Sequence, residues 1–422
     1  MEEAPLVEVK SDAEVTEAAP PAANPGADAP SSEPAASNIA EDASPLEPVK
    51  IYSIEQRAAV TGEPRCFVCG RYGEYISDET DADVCSIECK RVDLERFRSS
   101  KGAGVPASAQ TTFLYREPDD VRQAADEYIT FIRHVFQIDT ASGAAVPRPI
   151  WEFSQCGFPS FLEANLASAG FVSPTPVQMQ AIPTILCDMD ALVSSPTGSG
   201  KTGAFVIPLV AQLSADPVQL RSNVRVLVIT PRRELCIQVE EQFKALMRGH
   251  PVMRTALIIG GLPLPNQLHR LRRRPQVVVA TPGRLVEIVD RQDGALDLSC
   301  LNAVVIDEID EIIKGGFEHA MEVIMSYVPR DARRILASAT ISSDTAKVAK
   351  RMMRGDGTKA ARISVGERVG APPAAVRQTI LWVEEVSKRK QLMQLLQSKN
   401  VKFPAIIFVQ SKLGAQFLSE AV

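Results

Sequence analysis

The chain is predicted to be an α/β protein with a doubly wound parallel sheet, and three observations predict it. Apolar runs rich in Val and Ile at 191–194, 224–229, 255–260, 277–280, 303–306 and 334–337 do not alternate with polar residues. Such runs suit strands covered on both faces. Helical segments separate them, among them Arg233–Met247 and 283–289. The third observation is a glycine-rich turn that joins the first run to a helix. Together these mark out one α/β domain over 148–370.

That turn reads Ser195-Pro196-Thr197-Gly198-Ser199-Gly200-Lys201-Thr202. It lies between the strand-like 191–194 and the apolar stretch 204–207, which opens a helix. A glycine turn at a helix N-terminus exposes backbone N–H groups that cradle a polyphosphate. Lys201 is expected to reach the β/γ-phosphates, and the Thr202 hydroxyl to hold Mg²⁺. Ser195 stands where the usual pattern has glycine. Downstream, Asp307-Glu308-Ile309-Asp310 follows the apolar run 303–306 at once. A carboxylate at the end of a buried parallel strand is placed to hold Mg²⁺ against phosphates, and the next one to orient a water. Asp307, Glu308 and Lys201 are therefore the candidate catalytic residues.

Composition bounds the rest. The 422 residues leave room for about two or three domains. Hydrophobic residues make up 45% and charged residues 23%, as in a globular chain. The net charge of −6 makes any nucleic-acid site a local feature. No apolar run reaches membrane-spanning length, so no membrane partner is expected. Four of the eight cysteines cluster at metal-ligand spacing and the others are scattered. That usage points to a reducing, intracellular compartment, nuclear or cytoplasmic.

Residues 1–60 read as a disordered acidic tail rich in Ala and Pro, with lysine only at positions 10 and 50. In 61–95, Cys66-x2-Cys69 and Cys85-x3-Cys89 offer four thiolates for tetrahedral Zn²⁺. Gly70 and Gly73 allow a tight turn after the first pair. Residues 96–147 read as a linker carrying an amphipathic helix over 119–136, with Val121, Ala125, Tyr128, Ile129, Ile132, Val135 and Phe136 on one face.

The stretch 66–75 resembles the HIT-type zinc finger. Ser77 and Asp93 stand where further ligands of that family are expected, so one zinc is supported. From about 150 onward the chain resembles the DEAD-box RNA helicases, through many motifs in one order. Gly170-Phe171, Pro176 and Gln178, with the upstream aromatic Phe153, resemble the Q motif. The resemblance implies that Gln178 reads the adenine edge and selects ATP. The turn Ser195–Thr202 resembles motif I, and Asp307–Asp310 motif II with Ile309 in place of alanine. Pro231-Arg232-Arg233-Glu234 resembles motif Ia with Arg232 in place of threonine. Gly260-Gly261 and Thr281-Pro282-Gly283-Arg284 resemble the GG and Ib motifs. The resemblance implies that these groups bind the backbone of one RNA strand. Ser338-Ala339-Thr340 resembles motif III, which joins the ATP state to RNA handling. The implied lobe is RecA-like. The arginine cluster Arg270, Arg272, Arg273 and Arg274 reads as a solvated helix end.

Residues 371–422 read as the start of a second RecA-like lobe. Strands are expected at 377–383 and 405–409 and a helix at 387–397, and 406–412 resembles motif IV. No arginine-rich motif follows, so the chain reads as C-terminally truncated and is expected to hold ATP but hydrolyse it poorly. The resemblance implies an ATP-dependent RNA helicase of the zinc-finger subgroup, using ATP, Mg²⁺ and Zn²⁺. A non-catalytic ATP- and RNA-binding regulator is the alternative, as is an interaction protein that recruits partners through its finger.

Overall fold

The computed structural model describes residues 49–60, 63–77, 79–80, 82–100, 115–141, 145–214, 223–250, 252–291, 294–355, 360–366, 379–398 and 405–421. Residues 1–48 of the expected disordered tail lie outside the described residues. The finger holds β1 (Tyr75–Ile76), β2 (Asp83–Val84) and α1 (Ile87–Ser100). Next come α2 (Asp119–Gln123), α3 (Asp126–Val135), β3 (Ile138–Ala141), α4 (Ser160–Ser168) and α5 (Pro176–Leu186). Alternation then sets in with β4 (Ala191–Ser194), α6 (Lys201–Leu213), β5 (Val226–Ile229), α7 (Arg233–Met247), β6 (Thr255–Ile258), α8 (Leu264–Arg272), β7 (Val277–Ala280) and α9 (Pro282–Asp290). It continues through β8 (Ala303–Ile306), α10 (Ile309–Lys314), α11 (Glu318–Tyr327), β9 (Arg333–Ser338), α12 (Ser343–Met352) and β10 (Ala361–Val365). Last are α13 (Lys388–Gln397) and α14 (Lys412–Ala421).

One sheet runs β3-β10-β4-β9-β8-β5-β7-β6, parallel throughout except for β3, which pairs antiparallel with β10. Strands β4 to β9 are buried at every position, which is why their sequences do not alternate. Side chains still alternate between the two faces. Val226 and Val228 join Phe205 of α6 and Phe243 of α7 on one face, while Leu227 and Ile229 join Leu285 of α9 and Ile324 of α11 on the other. Two helical layers over one parallel sheet are the doubly wound architecture expected.

Several expectations need correction. Strands β3 and β10 extend the sheet beyond β4: β3 lies in the expected linker, and β10 is absent from the expected strands. The helix expected over 119–136 is broken, because Ala124 and Ala125 are extended. Residues 49–60, placed with the tail, belong to the finger: Lys50 pairs with Glu74 at 2.8 Å, and Ala58 bridges Arg71. Residues 379–383 and 405–409 form no strand, since no described strand lies beside them to complete their hydrogen bonds. Ile406 and Phe408 are 81% and 90% exposed.

Candidate functional site

The phosphate-loop residues turn between β4 and α6. Gly198 and Gly200 hold φ of +78° and +95°, which favour glycine. A Cβ on Gly200 would also lie 2.7 Å from Gln178 Nε2 and 2.8 Å from Thr175 Oγ1. Ser195 is buried, its N–H donates to the Ser338 carbonyl at 3.2 Å, and its hydroxyl lies 2.7 Å from that of Ser199. Lys201 Nζ donates to the carbonyls of Ser195 at 2.5 Å and Pro196 at 2.9 Å. Lys201 and Thr202 open α6, so the positive end of that helix faces the loop.

The adenine-selecting candidates converge on the same loop. Gln178 is 1% exposed and uses both ends of its amide. Its Oε1 accepts from the Thr175 N–H at 3.1 Å, capping α5, and its Nε2 donates to the Gly200 carbonyl at 3.0 Å. Phe171 meets Phe153 edge to face, with ring centroids 6.3 Å apart. Gly203 went unnoticed in the sequence. A Cβ there would lie 2.7 Å from Gln178 Nε2 and 2.9 Å from Phe171 Cε1, so only glycine lets these groups meet α6.

The acidic residues stand at the end of β8. Burial pushes the Asp307 carboxyl up to about 6, helped by Glu308 and Asp310 and opposed by the Glu308 N–H and Lys201. Burial lowers the Lys201 ammonium, and Asp307, Glu308 and Asp310 pull it back up. Lys201 and the acidic group therefore act on each other across the loop. Glu308 holds the left-handed conformation at φ +52°, a strained geometry for a non-glycine residue, and its N–H donates to Asp307 Oδ1 at 3.0 Å. Ser338 ends β9, and Ala339 and Thr340 follow it. The Ser338 hydroxyl donates to the Thr340 carbonyl at 2.5 Å, and the Thr340 hydroxyl to Asp310 Oδ2 at 2.7 Å. That last link joins two of the recognised motifs, and the sequence reading did not identify it.

The candidate RNA contacts stand at the ends of β5, β6 and β7. Pro231, Arg232, Arg233 and Glu234 lead from β5 into α7, and Glu234 suits the positive end of that helix. The Arg233 guanidinium lies against Gly260 and Gly261; a Cβ on Gly261 would collide with it and one on Gly260 would crowd it at 3.2 Å. Arg232 pairs with Glu311 of α10 at 2.8 Å, a partner the sequence reading did not find. The Thr281 N–H donates to Ile258, Pro282 and Gly283 open α9, and Arg284 pairs with Glu287 at 3.2 Å. The carboxyl edge of the sheet is thus divided. The phosphate loop, Asp307 and Ser338 follow the neighbours β4, β8 and β9, whereas the RNA candidates follow the neighbours β5, β7 and β6. The Arg232–Glu311 pair spans the boundary between β5 and β8.

In the finger, the sulfur atoms of Cys66, Cys69, Cys85 and Cys89 all lie within 4.8 Å of one another, and Cys66, Cys85 and Cys89 are buried. Four thiol donors so gathered fit Zn²⁺. Ser77 and Asp93 are buried but stand outside this group, and Asp93 accepts from the Thr80 hydroxyl. The finger sits on α7 and α8. Asp83 of β2, 9% exposed, pairs with Lys244 at 2.7 Å and with Arg270 at 2.5 Å. Buried Glu240 adds contacts of 3.3 Å to Lys244 and 3.7 Å to Arg270. The two cations hold the Asp83 carboxyl below its usual range, against the opposing effect of burial. Arg248 caps the Phe67 ring at 4.2 Å. Arg270 is therefore no solvated helix end, because α8 turns it under the finger; Arg272 and Arg274 are exposed as expected.

Comparison with known proteins gives consistent results. The family description DEAD/DEAH box helicase matches residues 175–348. The chain is 41% identical over 388 residues to "Probable ATP-dependent RNA helicase DDX59" of Mus musculus, covering 89% of this chain and 61% of the relative. It is 37% identical over 413 residues to "DEAD-box ATP-dependent RNA helicase 41" of Oryza sativa subsp. japonica, covering 94% of this chain and 74% of the relative. The crystal structure of the yeast DEAD-box splicing factor Prp28 superposes with a TM-score of 0.56 at 25% identity, covering 71% of this chain and 69% of that one. The chain thus spans about three fifths of the length of the mouse relative.

Proposed function

The chain belongs to the DEAD-box family of ATP-dependent RNA helicases, and from that premise we propose that its RecA-like lobe binds ATP–Mg²⁺ beside a single RNA strand and supplies the ATP-binding half of the machinery that couples hydrolysis to duplex opening. The observation that carries this reading is the division of the carboxyl edge, with one half suited to a nucleotide and the other to a sugar-phosphate backbone. On the nucleotide half, residues 195–202 cradle the phosphates, Lys201 meets the terminal ones, and Phe153, Phe171 and Gln178 receive the adenine. Thr202 and Asp307 hold Mg²⁺, which supplies charge neutralisation at the phosphates when bound. Glu308 orients the attacking water. On the other half, residues 231–234, 260–261 and 281–284 hold RNA phosphates through N–H groups, helix N-termini and arginines. Ser338, Ala339 and Thr340, the last tied to Asp310, couple the halves.

The four cysteines bind one Zn²⁺, and residues 61–95 form a finger of the HIT type that also offers a surface for protein partners. The protein acts inside the cell. Phosphate release measured with and without RNA tests the reading, comparing wild type with Glu308→Gln. The variant should bind ATP and release no phosphate in response to RNA. Equal release by both, where wild type responds to RNA, would reject the role of Glu308.

A further inference from the structure

We propose that the cleft between the finger and α8 binds an unpaired nucleotide of single-stranded RNA, extending the strand's path beyond the Gly260–Gly261 turn. This rests on the reading of 231–234, 260–261 and 281–284 as an RNA face.

The cleft encloses about 300 Å³, the lower end of the range for ligand sites. Its finger wall presents Tyr72 and Tyr75, and its α8 wall presents His269, Arg270 and Arg273. The spacing 266, 269, 270, 273 puts that wall on one helical face. Leu262 and Pro263, which directly follow Gly261, also line it, so the cleft adjoins the end of the RNA face. Aromatic rings on one side and cations on the other are the combination that holds a base by stacking and its phosphate by charge, whatever the sequence.

Both tyrosines are held in place. The Arg57 guanidinium stacks on Tyr72 at 4.1 Å and is itself tied to Glu63, and the Tyr75 hydroxyl accepts from the Lys50 N–H at 3.3 Å. Rings fixed in this way lose little conformational freedom when a base stacks on them. Glu74, the one carboxylate lining the cleft among the described residues, is already bound by Lys50 at 2.8 Å and by the Gln56 amide at 2.6 Å. Arg270 is likewise held by Asp83 and Glu240, and an arriving phosphate is met from the α8 wall by Arg273. Asp83, with Lys244 and Arg270, holds the two walls together.

The test uses the zinc-loaded 422-residue protein and labelled oligouridylate carrying one 4-thiouridine at successive positions. Cross-links from one end of the strand should map to 64–76 or 262–273. Tyr72→Leu should weaken binding by about fivefold or more, the loss of one stacked base. Arg273→Gln, on the other wall, should reduce the slope of log K against log salt by about 1. Unchanged zinc content shows that the finger has folded in each variant. Unchanged affinity and salt slope in both variants, with no cross-link in these segments while Arg284→Ala still weakens binding, would overturn the cleft and leave the RNA face standing. An absence of RNA binding by wild type would instead reject the RNA face itself, and the cleft with it.

Discussion

The Thr340 hydroxyl donates to Asp310 Oδ2 at 2.7 Å, tying the end of β9 to the first turn of α10. Asp310 is buried, and its Oδ1 has no hydrogen-bond partner among the described residues. Thr340→Ala would leave that carboxyl buried without a donor, at a cost of about 1–3 kcal/mol. Thr340→Ser keeps the donor. Urea denaturation should therefore show a clear loss for alanine and a small one for serine. Equal losses would mean that the hydroxyl contact is not what joins the two elements.

Asp307 gives the fold an unusual pH dependence. Its carboxyl is raised by burial to about 6, so the ionised form is disfavoured in the folded state relative to the unfolded one. That penalty is fully present above the folded value and is relieved as the pH falls toward the ordinary carboxylate range. Asp307→Asn should stabilise the nucleotide-free protein near neutral pH by about 1–3 kcal/mol, while abolishing Mg²⁺-dependent nucleotide binding. Melting curves between pH 5 and 8 test this. A variant less stable than wild type across that window would contradict it.

Gly203 sets how closely α6 approaches Gln178 and Phe171. Gly203→Ala would force overpacking, with an expected cost of about 1–3 kcal/mol in stability. It should also narrow the preference for ATP over GTP, as Gln178→Ala should by removing the amide directly. Competition binding with the two nucleotides checks both variants, and an unchanged preference in either would remove adenine reading from this group.

The finger offers a paired test. Asp83→Ala leaves all four cysteines in place, so one Zn²⁺ should still be counted by native mass measurement. Removing one partner from the buried cluster with Lys244, Arg270 and Glu240 should cost about 3–5 kcal/mol in docking, read as faster hydrogen exchange in α7 and α8. Cys85→Ser should lose the metal and release the finger as well. Unaltered exchange in Asp83→Ala would show that the cluster does not seat the finger.

Strands β4 to β9 were legible because burial on both faces leaves an unbroken apolar run, and α7 matches its expected bounds, Arg233–Met247. The edge strand β3 carries no such mark. β3 reads Ile138-Asp139-Thr140-Ala141, with only Ile138 buried, and its pairing depends on β10, more than two hundred residues later. The break in the helix expected over 119–136 is a backbone event at two alanines, which apolar spacing does not register. Within the site, the motifs gave the residues but not their mutual contacts. Thr340 with Asp310 and Arg232 with Glu311 are joined only by the order of the strands. Asp83 is 161 residues from Lys244 and 187 from Arg270, and it looked like any acid in a polar loop. Gly203 had a signal in hindsight, since a glycine in the first turn of a helix lowers helix propensity without serving as a cap.

The division of the carboxyl edge is tested most directly by one equilibrium titration, in which fluorescent ATP and a labelled single-stranded RNA are each bound to wild type, Lys201→Ala and Arg284→Ala. Lys201→Ala should lose the nucleotide and retain RNA binding, and Arg284→Ala should weaken all RNA sequences alike and retain the nucleotide. If either substitution abolished both ligands in a folded protein, or if Lys201→Ala bound ATP as wild type does, the two-half account of the edge would be contradicted.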